Sequence, residues 1–216
     1  GYRDVVFFDE IAATSFTDPD ATISVLKDYM QTGRFSRGPL EFSAQSSIVL
    51  GGNIDTDLEK RSPTERYRHL FEVLPVELQD TAFLDRIQCF LPGWELPKIK
   101  PENYAQGYGF ITDYLAEIFS RLRRRNYQTH VSAYVDFGGL TGRNQDAIRK
   151  ISAVLLKLIF PHRTAEDLEL EELQLCLDLA IECRERVLQQ LSIMAPSEFS
   201  SKKLGVAIIE KRSLSG

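Results

Sequence analysis

The sequence predicts an α/β fold, and three observations carry that expectation. Two short runs, Val5-Val6-Phe7-Phe8 and Ile48-Val49-Leu50, are continuously apolar rather than alternating. Such runs read as strands buried on both faces, as inside a parallel sheet. Between them residues 20–31 carry apolar side chains at helical spacing, and three longer segments of that kind follow beyond residue 100.

Composition sets the outer limits. The 216 residues are 43% hydrophobic and 26% charged, enough to bury a sizeable core in one domain or two small ones. A net charge of −5 argues against a generally basic protein that coats nucleic acid, though it leaves room for a local basic strip. Cys89, Cys176 and Cys183 form no CxxC pair and are odd in number, so they read as reduced thiols in a cytoplasmic protein. His69, His130 and His162 are too scattered for a metal site. Nothing resembles a signal peptide, and no apolar run reaches the length of a membrane span.

The first strand ends abruptly in Asp9 and Glu10. Two acids at the C-terminal end of a parallel strand lie where open α/β sheets bind ligands. In a nucleoside triphosphatase they would be a Walker B pair. Asp9 would hold Mg²⁺, usually through water, and Glu10 would polarise the water that attacks the terminal phosphate. The alternative is a strand whose acids merely cap the next element. A buried-type strand at residue 4 with no preceding partner also looks like a domain cut open.

Residues 20–31 read as a helix capped by Asp18 or Asp20, with Ile23, Leu26, Tyr29 and Met30 as its apolar stripe and Gly33 as its stop. The segment 33–42, GRFSRGPLEF, is a short alternating stretch broken by Gly-Pro, hence a β-hairpin or a projecting loop carrying Arg34, Phe35 and Arg37. Two arginines around an aromatic can grip a phosphate backbone or a polypeptide; a solvated turn with one buried anchor is the plainer reading. Residues 46–51 form the second buried-type strand and run into Gly51-Gly52-Asn53. The Asn53 amide could donate to the terminal phosphate or to the attacking water, or simply build a turn.

This order, a strand ending in DE, a helix, a GRFSRG hairpin and a strand ending in GGN, resembles AAA+ ATPases that carry an extra hairpin before the sensor-1 strand. The resemblance implies that Asp9 and Glu10 are Walker B and that Asn53 is sensor 1. Downstream, DTAFLDR, a short apolar strand at 87–91 and Pro92-Gly93 look like the corresponding stretch of Lon-type modules. There Arg86 would be the finger reaching a neighbouring subunit's nucleotide, a role that suits an always-charged, bidentate guanidinium. The alternative is an arginine pairing with Asp85 or Asp80 at a helix end.

Residues 103–124 read as an amphipathic helix with Phe110, Ile111, Tyr114, Leu115, Ile118, Phe119 and Leu122 inward, and with Arg121 and Arg123 to Arg125 at its end. Residues 131–136 followed by Gly138-Gly139 suggest a strand and a phosphate loop. A P-loop needs GxxxxGK[ST], and no Gly-Lys pair occurs in the sequence, so this reading is rejected. Within the AAA+ resemblance, Arg143 at the start of a lid helix over 144–159 would be the sensor-2 residue, with Arg149 as the alternative. Ile148, Ile151, Val154, Leu155, Leu158 and Ile159 make that helix's core face. A last helix over 165–193 opens on Glu166, Asp167, Glu169, Glu171 and Glu172, which suit a helix N-terminus. Its apolar side is Leu173, Leu177, Ala180, Ile181, Arg184 and Leu188, with Cys176 and Cys183 as packing groups. After Pro196 a Ser- and Lys-rich linker leads to a strand-like 204–209.

Together, DYMQTGRFSRG, SSIVLGGNID, DTAFLDR, LPGWELPK and LTGRNQDAIRKISAVLLKLIFPH resemble the Lon-related, protease-like ATPases of bacterial BREX phage-defence systems over nearly the whole chain. The resemblance implies a partial AAA+ P-loop NTPase sheet (1–96), a helical lid (97–195) and a linker (196–216) toward a Lon-like domain. It also implies ATP and Mg²⁺ as cofactors, a homo-oligomeric ring, action on DNA or protein, and other phage-defence proteins as partners, with no membrane. Walker A and the Lon-like domain lie outside these residues, so the isolated chain is expected to be inactive. In the AAA+ sheet the P-loop strand lies between the 46–51 and 87–91 strands. Without it, 87–91 is expected to pair with 46–51, or another copy to fill the gap, because open edges are sticky. The reading from a different class is a non-catalytic α/β scaffold that assembles through the 165–193 helix and the 33–42 hairpin.

Overall fold

In the computed structural model, residues 4–57, 59–164 and 167–209 are described. The chain is mixed α/β and divides into two units: residues 1–87 with 187–201, and residues 88–186 with 202–216.

The first unit begins with β1 (Val5–Phe8), followed by α1 (Pro19–Thr32), β2 (Arg34–Arg37), β3 (Leu40–Ser43) and β4 (Ser47–Leu50). Helix α1 starts where the sequence places its signals. The Asp18 carboxylate accepts a hydrogen bond from the Ala21 amide at 3.1 Å, and Pro19 occupies the first turn, where its missing N–H costs nothing. Gly33 ends the helix in the left-handed region (φ 73°), and its N–H donates to the Tyr29 carbonyl. Strands β2 and β3 form the expected antiparallel hairpin, with Phe35 opposite Phe42. The minor pair β5 (Thr56–Asp57) and β6 (Ser62–Pro63) and the one-turn α2 (Thr81–Leu84) follow. The core of this unit gathers Ile11, Ile23, Phe71, Leu74, Leu78, Phe83 and Leu84 with Val187, Leu188 and Leu191.

Strands β1 and β4 pair in parallel, Val5 opposite Ser47 through Phe8 opposite Leu50. They are not buried on both faces as their composition suggests: Val5, Val6 and Phe7 are 54%, 38% and 58% exposed. The reason is the sheet's size. Among the described residues it has two strands, so each has one neighbour. Residues 87–91 are not a strand and do not pair with β4. Their hydrogen bonding goes elsewhere, the Phe90 N–H donating to the Cys183 carbonyl at 3.3 Å.

The second unit contains α3 (Thr112–Arg123), α4 (Gln128–Tyr134), β7 (Val135–Asp136), α5 (Gly142–Ile159), most of α6 (Leu170–Met194) and β8 (Ala207–Ile208). Helix α3 starts well after residue 103; of the residues expected inward, Leu115, Ile118 and Leu122 are half-buried, whereas Phe110 and Ile111, which precede the helix, and Tyr114 and Phe119 are exposed. Residues 128–134 are helical rather than strand. The Asn126 side chain accepts from the Gln128 amide at the start, and Tyr127, Val131 and Val135 recur every four residues into the core. Only Val135 and Asp136 continue as strand, pairing with β8 near the chain's end.

Helix α5 is capped by Thr141, whose hydroxyl accepts from the Asn144 amide. Its buried face is Asn144, Ala147, Ile148, Ser152, Ala153 and Leu156. The expected face is rotated away from this, leaving Val154, Leu158 and Ile159 exposed. Small residues let α5 pack closely, and that advantage outweighs the pull of the larger apolar groups. Helix α6 starts at Leu170, later than the acidic run suggested; Glu166 lies outside the described residues. Its apolar side is as expected, with Leu173, Leu177, Ala180, Arg184 and Leu188 buried.

Candidate functional site

The parallel register of β1 and β4 decides what the first unit presents at one sheet end. Because Phe8 lies opposite Leu50, the residues after each strand, Asp9-Glu10 and Gly51-Gly52-Asn53, emerge side by side. The ladder runs on briefly: the Gly51 N–H donates to the Phe8 carbonyl at 2.8 Å, and the Ile11 N–H donates to the Gly51 carbonyl at 3.0 Å. A Cβ at Gly51 would lie 2.7 Å from the Phe7 ring and 3.6 Å from Asp9 Oδ1. Glycine lets the second strand pass beside the Phe7 ring without displacing it.

Strand β1 stops because Asp9 and Glu10 turn it. The Asp9 carboxylate accepts the Glu10 N–H at 3.0 Å, and Glu10 takes a left-handed conformation (φ 47°, ψ 45°). Ile11 then drops into the core and begins a 3₁₀ turn through Ala13. A left-handed glutamate carries a steric cost of about 1–2 kcal/mol. Such strain collects where a side chain must be aimed. The outcome is two exposed carboxylates at the sheet end, with Asn53, also exposed, beyond the neighbouring strand.

The remaining sequence-derived residues lie apart from this cluster. Arg86 follows α2; its Nη1 donates back to the Ala82 carbonyl, and its Nε is buried without a hydrogen-bond partner among the described residues. Asp80, which the sequence offered as Arg86's partner, is bound instead by Lys27 at 2.6 Å. On the hairpin, Phe35 stacks on Phe42 (centroids 5.4 Å) and meets the edge of Tyr29, while exposed Arg34 pairs with Glu41 at 3.3 Å. Arg37 closes β2, and its side chain lies outside what is described. Arg143 and Arg149 belong to the second unit. Arg143 is the exposed second residue of α5, whereas Arg149 pairs with Asp146 and lies 6.0 Å from the Phe137 ring centre.

Two features of the second unit leave no local trace in the sequence. Arg184 is buried and donates to Asn144, and the Cys89-Phe90 stretch is held against Cys183 through the Phe90 N–H. Each joins residues far apart in the chain, so no spacing rule finds them. Among the described residues no cluster of three or more His, Cys, Asp or Glu could hold a metal by itself. No helix among them is long and apolar enough to cross a membrane.

An α/β unit with two acids and an amide at one parallel strand end is consistent with an ATPase domain, and the comparisons place the chain in that class. Residues 1–205 match the family model described as "Lon-like protease BrxL-like, ATPase domain", and the chain belongs to this family. It is 38% identical over 200 residues to the Lon-like protease BrxL of Escherichia coli O9:H4 (strain HS), which covers 92% of this chain and 28% of that protein. It is 39% identical over 201 residues to the Lon-like protease BrxL of Bacillus cereus (strain H3081.97), covering 92% and 29%. The chain therefore spans less than a third of the curated relatives it matches.

Proposed function

We propose that Asp9, Glu10 and Asn53 are the hydrolytic side of an AAA+ ATP site in the motor of a Lon-like protein. The observation that carries this reading is the β1–β4 register, which sets both acids beside the Gly51-Gly52-Asn53 turn. Mg²⁺ and ATP fit the donor set as a shared ligand. Two exposed carboxylates are too few to cage the ion alone, but they suit a hydrated Mg²⁺ that takes its other ligands from phosphate and water. When bound, the ion would neutralise charge on the triphosphate. Asp9 would hold the ion through its water shell. Glu10 accepts a proton from the attacking water, and the Asn53 amide holds that water or the terminal phosphate in line.

In this reading Arg86 is the finger offered to a neighbouring subunit of a ring. For that it must leave its contact with the Ala82 carbonyl, and its unpartnered Nε suits such a move. Arg143 serves as sensor 2, supported by its exposure at the start of α5, where the amides of the first turn already favour anions. Arg149, engaged with Asp146, is the less suited alternative. The hairpin carrying Arg34, Phe35 and Arg37 would touch DNA or polypeptide, with Phe35 as its structural anchor. Cytoplasmic phage defence, with other defence proteins as partners, follows from the family resemblance.

The test is Mg²⁺-dependent ATP hydrolysis by the full-length protein. Asp9→Ala and Asn53→Ala should each lower kcat by on the order of a hundredfold. Unchanged turnover in both would reject the assignment.

A further inference from the structure

Cys89 and Cys183 stand 94 residues apart in sequence and are brought side by side in the second unit. The Phe90 N–H, next to Cys89, donates to the carbonyl of Cys183 itself at 3.3 Å, so backbone as well as side chain holds the two residues together. Both are half-buried, reachable by a small reagent, whereas Cys176 on the same helix is fully buried. Arg186, one turn along α6, lies beside Cys183 and is anchored by Glu95 and Glu182, each at 2.7 Å.

We propose that Cys89 and Cys183 are a reversible disulfide-forming pair, oxidised by low-molecular-weight disulfides, that staples the 88–91 segment to helix α6. The chemistry is polarised. The neighbouring Cys89 thiol lowers the Cys183 thiol, and the Arg186 guanidinium assists against burial and Glu182. Cys89 is in turn pushed up by Cys183, with burial adding to the effect. Cys183 is therefore the attacking thiolate. It displaces one thiolate from the reagent's S–S bond and forms a mixed disulfide. The expelled thiolate, or water, takes the Cys89 proton, and the Cys89 sulfur attacks the Cys183 sulfur and releases the second thiol. The protein loses two electrons and two protons, and the reagent becomes two thiols.

Cys176 is the internal control, since burial pushes its thiol up to about 11. With its thiol lowered and half-buried, Cys183 should react at least tenfold faster than the fully buried Cys176. Full-length protein equilibrated with mixtures of reduced and oxidised glutathione, alkylated and digested without reductant gives the result directly. A linked peptide joining Cys89 to Cys183, reversed by dithiothreitol, is expected, with Cys176 alkylated throughout. Cys89→Ser should instead leave Cys183 as a stable glutathione adduct. If Cys89→Ser does not fold, the wild-type map alone decides. Cys89 and Cys183 remaining alkylated at the most oxidising ratio, or carrying separate adducts, would overturn the pair.

Discussion

Arg184 Nε donates to Asn144 Oδ1 at 2.8 Å, and both side chains are buried, the arginine to 1% exposure. The bond ties the first turn of α5, next to Arg143, to the middle of α6. A buried guanidinium is tolerated only where polar partners replace its water. Asn144→Ala removes one such partner while leaving the charge in place. It should destabilise the second unit by roughly 2 kcal/mol, the usual range for a hydrogen bond to a charged group. Asn144→Asp should cost less. The readout is the urea midpoint of the two variants against wild type.

The hairpin depends on Phe35. Its ring stacks on Phe42 and meets Tyr29, and the Tyr29 hydroxyl donates to the Ser46 carbonyl at 2.6 Å. Phe35→Ala should cost about 2 kcal/mol, below the range for a fully buried phenylalanine because the site is half exposed. Arg34→Ala, whose partner Glu41 is also exposed, should cost less than about 0.5 kcal/mol. Amide exchange over 34–43 separates the two: faster in the first variant, unchanged in the second.

Asp80 makes part of the first unit's stability depend on pH. It caps α2, accepting the Phe83 N–H at 2.7 Å, and binds Lys27. Burial alone would raise its carboxyl, but the Lys27 and Phe83 hydrogen bonds outweigh it and hold the group below the usual carboxylate range. A carboxyl whose folded value is depressed binds fewer protons folded than unfolded. Its contribution is therefore complete above about pH 4–5 and is lost as pH falls through the folded value. Asp80→Asn should flatten the acid limb of the stability–pH curve, and Asp80→Ala should also lose the cap, about 1 kcal/mol.

Two glycines should respond differently to a methyl group. Gly33 has φ 73°, and an added Cβ would sit 3.1 Å from the Ala44 carbonyl oxygen, a backbone atom. Gly33→Ala should cost at least about 1 kcal/mol. At Gly51 the obstruction is the ring of exposed Phe7, which can swing away. Gly51→Ala should therefore cost less in thermal melts, and Gly51→Ala with Phe7→Leu should recover most of the loss.

What the sequence made legible is local. The Asp18 cap, the Gly33 stop, the hairpin and the apolar side of α6 each follow from neighbours within a turn or two, and each is found. Burial was misread where it depends on what surrounds an element. Val5 to Phe7 have the composition of a central strand but, among the described residues, one strand beside them, and on α3 Tyr114 and Phe119 stay exposed while Leu115, Ile118 and Leu122 are half-buried. Residues 131–134 look β-prone, yet the four-residue recurrence of Tyr127, Val131 and Val135 makes them helical up to Tyr134. Residues 87–91 look like a strand, but the Ile87 N–H donates to the Leu84 carbonyl and the Phe90 N–H to the Cys183 carbonyl rather than to a neighbouring strand. For the candidate site, the motif order located Asp9, Glu10 and Asn53. The left-handed turn at Glu10 and the close pass at Gly51 needed coordinates.

The central claim rests on Glu10. In the full-length protein, Glu10→Gln keeps the shape of the side chain but removes its capacity to accept the water's proton. ATP turnover should fall by on the order of a hundredfold or more, while bound ATP survives gel filtration. Turnover at the wild-type rate, with no retained nucleotide, would contradict the assignment of Asp9, Glu10 and Asn53 as a hydrolytic site.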